Sequence, residues 1–273
     1  MENKKRWYRK WNLDIPAEEV ERVAAKATPP EEYTVSRLAG PYTPPNSEDL
    51  IGKTLTFRGE DRVFRFVFDG PHALRFSEAD GEDKACYCDV KTLDHEIYLV
   101  NQLIPGYPRT RQVTLVADLR SGCATVCDAH IGTPYSNTDV GREFIFGRLD
   151  GEFAGGELHH FTSELIGKAF SWDYGPGRMC VKHMYTSNLY YTYSMSTEDG
   201  AWIASNPADY VKLRDGVFLF SFVEERQPGT QGLFVIDVNN SHDMGCFYGY
   251  NPERIVSACI GALGIPGGVT TEF

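Results

Sequence analysis

The sequence of 273 residues predicts an all-β protein made of two tandem antiparallel β-barrels, preceded by a short helix. Three observations support this fold class. A stretch of sequence recurs after about 115 positions, both copies alternate apolar and polar residues, and turn residues separate the alternating segments every eight to twelve positions. One larger barrel built from two half-barrel repeats is the alternative architecture.

The repeat opens with Leu50-Ile51-Gly52-Lys53 in the first copy and with Leu165-Ile166-Gly167-Lys168 in the second. The correspondence continues in later segments, which are 96–100 with 216–220 and 115–119 with 234–238. A unit of this length is too long for a solenoid repeat and suits two small domains or two halves of one barrel.

The first 49 residues precede the repeat and form a leader. Residues 15–27 predict a short helix, because Asp14 can cap its start and Pro16 suits its first turn. The prolines that follow keep the chain extended, so residues 28–49 are expected to form an irregular strap.

The first copy, residues 50–149, alternates with a period of two residues, which is typical of strands. The segment Val63–Phe68 places three phenylalanines on one face, and Asp69-Gly70 ends it with a hairpin turn. Further alternating segments run over 74–76, 87–90, 97–104, 113–119 and 124–131. Short strands at this spacing favour an antiparallel meander or barrel over a parallel sheet with crossover helices.

A glycine-containing linker over 150–162 leads to the second copy, residues 163–273. This copy repeats the meander over 179–185, 189–195, 202–204, 217–223, 233–238 and 246–250. The pattern of residues 253–260 fits a short terminal helix and a last strand equally well.

The net charge of the chain and the length of its apolar runs argue against two classes of partner, nucleic acid and membrane. Lys and Arg number 27 and Asp and Glu number 38, so the formal net charge is −11, which disfavours nucleic acid. No apolar run approaches the roughly 20 residues that span a bilayer, and no signal-peptide pattern opens the chain. We therefore expect a soluble, cytoplasmic protein that binds neither nucleic acid nor membrane.

The seven cysteines do not have the spacing of zinc sites, and we expect them to be small core residues. The sequence also lacks a glycine-rich phosphate loop, a nucleophile elbow and a His-Glu-x-x-His motif. These absences argue against nucleotide-dependent enzymes and familiar hydrolases. We expect no metal and no other cofactor.

Five segments of the second copy resemble a known family: His183–Tyr185, Asn188–Tyr193, Val217–Phe220, Gly232–Asp237 and Gly245–Tyr250. Together with the repeated Ile-Gly-Lys openings, they are similar to the molybdenum cofactor biosynthesis protein F (MoaF) family. The resemblance covers roughly residues 50–265. It implies a MoaF N-terminal domain followed by a related C-terminal domain, both lipocalin-like β-barrels. The family name implies a link to molybdenum cofactor genes without a defined reaction.

The strand around His183 contains the main candidates for chemistry. Alternation places His183 and Tyr185 on one face, and Tyr191 and Tyr193 share a face of the next strand. A histidine can transfer a proton near neutral pH, and tyrosine hydroxyls can polarise an oxygen. We therefore predict His183 and Tyr185 as catalytic residues. A hydrogen-bonded structural histidine among packed tyrosines is the alternative.

Further residues are predicted to line a ligand site in the second barrel. These are Tyr191, Tyr193, Trp202, Tyr248, Tyr250 and Arg226. This arrangement is missing from the first copy, and that asymmetry favours the second copy as the functional one. The comparable strands of the first copy carry Arg65, Phe66 and Phe68, and then Leu74, Arg75 and Phe76.

Other polar residues have simpler explanations. Asp118 and Asp237 occupy matched positions at the ends of strands, so we interpret both as turn-forming residues. His242 and Asp243 are interpreted as turn residues as well. His159 and His160 point to opposite sides of an extended chain, which disfavours joint metal binding.

Three functions remain open at this point. The first is a cofactor-free enzyme of the lyase, isomerase or cyclase type that uses His and Tyr for acid–base chemistry. The second is a lipocalin-like carrier or sensor of an aromatic or apolar small molecule, without chemistry. The third is a scaffold whose barrels are filled with side chains. Exposed strand edges could also pair across a two-fold axis to form a homodimer.

Overall fold

The computed structural model of the protein describes residues 40–105, 111–132, 139–198, 200–224, 230–250 and 255–267, together with Glu18 and Arg22. The described residues form 17 β-strands, which confirms the all-β class. Apart from Glu18 and Arg22, the predicted helix over 15–27 lies outside the described residues.

Eight strands close the first barrel, in which each strand pairs antiparallel with the next and β1 returns to β8. They are β1 (Thr54–Arg58), β2 (Val63–Gly70), β3 (Ala73–Glu78), β4 (Lys84–Thr92), β5 (Ile97–Ile104), β6 (Arg111–Asp118), β7 (Cys123–Ile131) and β8 (Val140–Leu149).

The second barrel consists of β10 to β17, and β9 pairs with the second half of β13. Its strands are β9 (His160–Phe161), β10 (Ala169–Asp173), β11 (Cys180–Met184), β12 (Tyr190–Thr197), β13 (Gly200–Arg214), β14 (Val217–Glu224), β15 (Thr230–Asp237), β16 (His242–Tyr250) and β17 (Ile255–Pro266). Pairing of β10 with β17 and of β12 with β13 closes the ring. The chain thus forms two barrels and not one larger barrel.

The predicted repeat is visible in the hydrogen bonds that open each barrel. The amide of Gly52 donates to the carbonyl of Phe68 at 2.8 Å, and the amide of Gly167 donates to that of Tyr185 at 2.9 Å. Both glycines have positive φ angles, 78° and 83°, which explains why glycine stands at this turn in both copies. Phe68 and Tyr185 therefore occupy equivalent positions.

The matched aspartates form turns, as predicted. Asp118 Oδ1 accepts hydrogen bonds from the amides of Arg120 and Ser121. Asp237 Oδ1 accepts the same pair of bonds two and three residues further along the chain. The pattern predicted neither a helix nor a strand uniquely for 253–260, and the structure places residues 255–260 in β17.

An apolar core joins the two barrels. It contains Leu99 and Val116 from the first barrel and Leu219, Val235 and Tyr248 from the second. Polar contacts also connect the two barrels, including the buried ion pair of Arg142 in the first barrel with Asp209 in the second at 2.7 Å. The outer faces of these strands are thus buried. Among the residues that the structure describes, no helix has the length and apolarity that a membrane crossing requires.

His159 fastens the segment between the barrels to the wall of the first barrel. The residue is 1% exposed, and its Nδ1 lies 2.8 Å from the hydroxyl of Thr125. Burial lowers the pKa of His159 from 6.5 to about 4. The imidazole is therefore neutral in the folded protein at neutral pH.

This contact predicts a pH-dependent contribution to stability. Between pH 4 and 6.5 the unfolded state binds a proton at His159 and the folded state does not, so acid favours unfolding. We expect the stability advantage of the wild type over His159→Gln to fall by about 2 kcal/mol between pH 6.5 and pH 5. Urea unfolding at both pH values measures this difference. A difference that does not change with pH would contradict the assignment.

Candidate functional site

The interior of the first barrel is mostly apolar and contains packed aromatic rings. The buried Gln102, which pairs with Cys88 and Val113, and the ion pair of Arg111 with Asp128 add polar groups on the same strand faces. Its largest side chains are fully buried and pack on one another, namely Phe57, Phe64, Phe66, Phe68 and Phe76. This interior shows that the repeated fold closes around phenylalanine without polar groups at these positions.

The interior of the second barrel is built from the equivalent strands of the second copy, but it has polar groups at the positions of these phenylalanines. His183 and Tyr185 lie on β11 and just after it, and Tyr191 and Tyr193 lie on β12. All four are at most 4% exposed. The structure thus brings together the predicted catalytic pair and two of the predicted ligand-binding tyrosines, because they share one face of adjacent strands.

Strand register allows each interior position to be compared between the barrels. Phe66 pairs with Leu55 and Phe76, and His183 pairs with Phe170 and Tyr193, so His183 stands where the first barrel has Phe66. The same comparison matches further polar residues to apolar ones: Tyr185 to Phe68, Tyr193 to Phe76, Tyr191 to Leu74, Trp172 to Phe57 and Asp243 to Ala124.

The imidazole of His183 is surrounded by aromatic rings. The ring centroids of Tyr191 and Phe220 each lie 5.2 Å from it, and the Tyr185 hydroxyl lies 3.5 Å from His183 Nδ1. Burial lowers the pKa of His183 from 6.5 to about 3. The imidazole is therefore neutral at physiological pH and offers a ring nitrogen as a hydrogen-bond acceptor.

The tyrosines around His183 keep their phenolic protons. Burial raises the pKa of Tyr185 and of Tyr191 well above 10. Tyr191 stacks on Tyr193 at 5.7 Å, and the Tyr193 hydroxyl accepts a hydrogen bond from the indole N–H of Trp202 at 3.1 Å. Trp202 is partly buried against the same interior cluster, so it joins the predicted site.

Two of the predicted ligand-binding residues are not part of this cluster. Tyr248 and Tyr250 are buried in the core between the barrels, because they point outward from β16. Their inward-facing neighbour Phe247 packs against the barrel interior instead. Arg226 lies outside the described residues.

Asn206 is an interior polar residue that was not predicted from the sequence. The Asn206 amide donates to the Glu224 carboxylate at 3.0 Å, and both side chains are buried. Glu224 also adds to the rise of the Tyr191 pKa, after burial. Asn206 shares a face of β13 with Ala208 and Tyr210, so alternation along that strand could have indicated that it points inward.

The prediction that Asp243 is a turn residue is wrong. It lies on β16 between Ile236 and Ala262, and its side chain is 1% exposed inside the barrel. Its Oδ1 accepts a hydrogen bond from the Ala262 amide at 2.7 Å. The turn over residues 238–241 ends just before β16 begins at His242. Asp243 is therefore close to the turn in the sequence but lies within the strand.

The cysteines do not form a site. All seven are free thiols, and only Cys180 is exposed. Burial raises the pKa of the Cys86 and Cys127 thiols to about 12, so both stay protonated. Within the described part of the chain, no group of three or more His, Cys, Asp or Glu side chains is placed to hold a metal ion.

Two family models match the chain in tandem. The MoaF N-terminal domain matches residues 37–133, and the MoaF C-terminal domain matches residues 159–266. The first match contains most of the first barrel, and the second contains the whole barrel with the polar interior. A search of curated proteins found no match. The two matches cover most of the sequence in the order of the two barrels, and the chain therefore belongs to the MoaF family.

Proposed function

We propose that the second barrel binds a small, largely apolar or aromatic molecule in its interior, and that the first barrel supports it. The observation that carries this proposal is the register-matched replacement of Phe66 and Phe68 by His183 and Tyr185. One fold thus has two interiors, which differ in polarity at these matched positions.

The free energy of burial supports a functional origin of this difference. A buried polar group whose hydrogen bonds are incomplete costs about 1–3 kcal/mol. The first barrel closes with phenylalanine at the same positions, so folding alone does not require imidazole or hydroxyl groups there. Polar groups that weaken a core without being needed for folding are typical of a site that binds or reacts.

The surroundings of His183 suit an aromatic or apolar ligand. Rings of Tyr191, Phe220 and Tyr185 present faces and edges to the interior, and only a few polar groups interrupt them. Small-molecule sites commonly combine apolar walls with a few oriented hydrogen-bonding groups. The neutral imidazole and the protonated phenols can orient a ligand by hydrogen bonds without a net charge.

Cofactor-free acid–base chemistry of the lyase or isomerase type is a second candidate, and the contact of the Tyr185 hydroxyl with His183 favours it. Such a pair could move a proton between two atoms of a bound molecule. However, an imidazole with a pKa of about 3 is a weak base at neutral pH. Binding without chemistry is therefore the better supported function. Conversion of a bound ligand during long incubation would establish catalysis.

A steric variant tests where binding occurs. Ala204 pairs with Tyr193 and packs against the interior cluster, whereas Ala201 of the same strand is exposed. We expect 2-naphthol, followed by its own fluorescence, to bind the wild type and to lose affinity about tenfold or more in Ala204→Phe. Ala201→Phe is the matched control and should bind as the wild type does. Equal binding by both variants, or no binding by the wild type, would contradict the proposal.

A further inference from the structure

Part of the strap that precedes the first barrel packs on the outside of the second barrel. The Thr43 hydroxyl accepts a hydrogen bond from the Gly261 amide at 3.2 Å, and the Tyr42 carbonyl oxygen lies 3.2 Å from His242 Nε2. Gly261 faces outward, because both of its neighbours on β17 pack inside the barrel. A side chain at this position would collide with the strap. The strap therefore crosses the outer face of β17.

The strap reaches the end of β10 at Gly40, where its described part begins. Gly40 lies against the carbonyl group of Tyr174, the residue that follows β10, and Pro41 lies against Gly175. The residues before Gly40 start from this point. Two residues span at most about 7 Å and seven span at most about 25 Å. The segment 33–39 is therefore within reach of the outer wall of β10 and β17.

Two apolar side chains are exposed on this wall, beside the strap. Leu263 and Ile265 follow Gly261 at alternate positions of β17, so all three residues share its outer face. The two side chains are 41% and 62% exposed. They pair with Asp173 and Ser171 of β10. Adjoining apolar side chains that are left in water commonly mark a contact surface.

The first barrel has charged residues at both positions. Strand register places Arg148 at the position of Leu263, and it places Asp150 at the position of Ile265. The Asp150 carboxylate accepts hydrogen bonds from the Arg58 guanidinium at 2.7 and 2.8 Å. The fold thus accommodates solvated charges at this place, and the apolar pair belongs to the second barrel alone.

The sequence just before Gly40 is complementary to this wall. Residues 33–39 contain three apolar side chains and one cation, namely Tyr33, Val35, Leu38 and Arg37. The wall offers an anion beside its apolar pair, because Asp173 is half-buried there. One carboxylate oxygen of Asp173 accepts a hydrogen bond from the Gly175 amide at 2.8 Å, which holds the carboxylate at the point where the strap arrives.

We propose that residues 33–39 dock on the outer wall of β10 and β17, with Leu38 on the apolar pair of Leu263 and Ile265 and with Arg37 beside Asp173. This inference goes beyond the proposed function, because it concerns the outer wall and needs no ligand. The covalent link to Gly40 keeps the segment at a high effective concentration, so a small contact area is enough to hold it. Docking extends the contact that residues 40–44 already make.

Digestion of the full chain with trypsin measures whether the segment is docked. Trypsin cleaves after Arg37 within the segment and after Lys26 before it, and intact-mass spectrometry distinguishes the products. A docked segment is cleaved only in the molecules that have released it. We expect the rate of cleavage after Arg37, divided by the rate after Lys26, to rise about fivefold or more in Ile265→Ser and in Asp173→Asn. Asparagine keeps the acceptor for the Gly175 amide and removes the charge.

Ile203→Ser is the matched control, because it makes the same exchange at a side chain of β13 that is 70% exposed in the same barrel. Its rate ratio should equal that of the wild type. An unchanged ratio in Ile265→Ser, or an equal rise in Ile203→Ser, would overturn the docking. An unchanged ratio in Asp173→Asn alone would overturn the pairing of Arg37 with Asp173. Protection of the wild type that weakens on dilution would mean that a second copy of the chain covers this wall, and it would overturn the proposed occupant.

Discussion

The variant His183→Phe/Tyr185→Phe is expected to lose ligand binding while it keeps or gains stability. It installs in the second barrel the residues that the first barrel has at the matched positions, Phe66 and Phe68. Replacing both partners of a buried polar contact by apolar groups of similar shape is near neutral or stabilising. We expect the free energy of unfolding to stay equal or to rise by about 1 kcal/mol, and the affinity for 2-naphthol to fall about tenfold or more.

Urea unfolding and the fluorescence titration measure the two effects on one preparation. The reverse exchange, Phe66→His/Phe68→Tyr in the first barrel, serves as the control. It should lower the free energy of unfolding by about 2 kcal/mol or more, because it buries polar groups within a packed cluster of phenylalanine rings. A loss of stability in the first variant with unchanged binding would mean that His183 and Tyr185 are core residues.

Removing the carboxylate of Asp209 is expected to have the largest effect on stability. Arg142 on β8 and Asp209 on β13 join the two barrels, and their side chains are 0% and 2% exposed. Loss of the carboxylate removes one side of a buried ion pair and keeps the guanidinium charge in the core, which costs about 3–5 kcal/mol. We therefore expect Asp209→Ala to lower the free energy of unfolding by about that amount in urea titrations.

The double variant Arg142→Met/Asp209→Leu distinguishes the cost of an unbalanced charge from a loss of packing. Apolar replacement of both partners should restore most of the stability, because a buried ion pair has a large desolvation cost of its own. A loss below about 1 kcal/mol in Asp209→Ala would show that the pair does not hold the barrels together.

The sequence predicted the fold because strands of a small barrel have a strong local pattern. Alternation over Val63–Phe68 corresponds to β2, but the strand continues through Asp69 and Gly70 and the turn lies at Pro71-His72. The matched aspartates marked equivalent turns in both copies. The last strand could not be distinguished from a helix, since alanine, glycine and cysteine occupy much of β17 and show little periodicity.

The candidate site was predictable only in part, for a reason that lies in the contact between the barrels. His183, Tyr185, Tyr191 and Tyr193 share one face of neighbouring strands, so alternation alone groups them. On β16 both faces are buried, because the outer face packs on the first barrel. The sequence does not reveal that second buried face, so Tyr248 and Tyr250 were grouped with the interior and Asp243 was not.

A crystal structure of the protein with bound 2-naphthol would show directly where the ligand binds. We expect the naphthalene ring inside the second barrel, in contact with the rings of His183 and Tyr191, and no ligand in the first barrel. Electron density for the ligand on the outer surface, in the first barrel, or between the barrels would contradict this expectation.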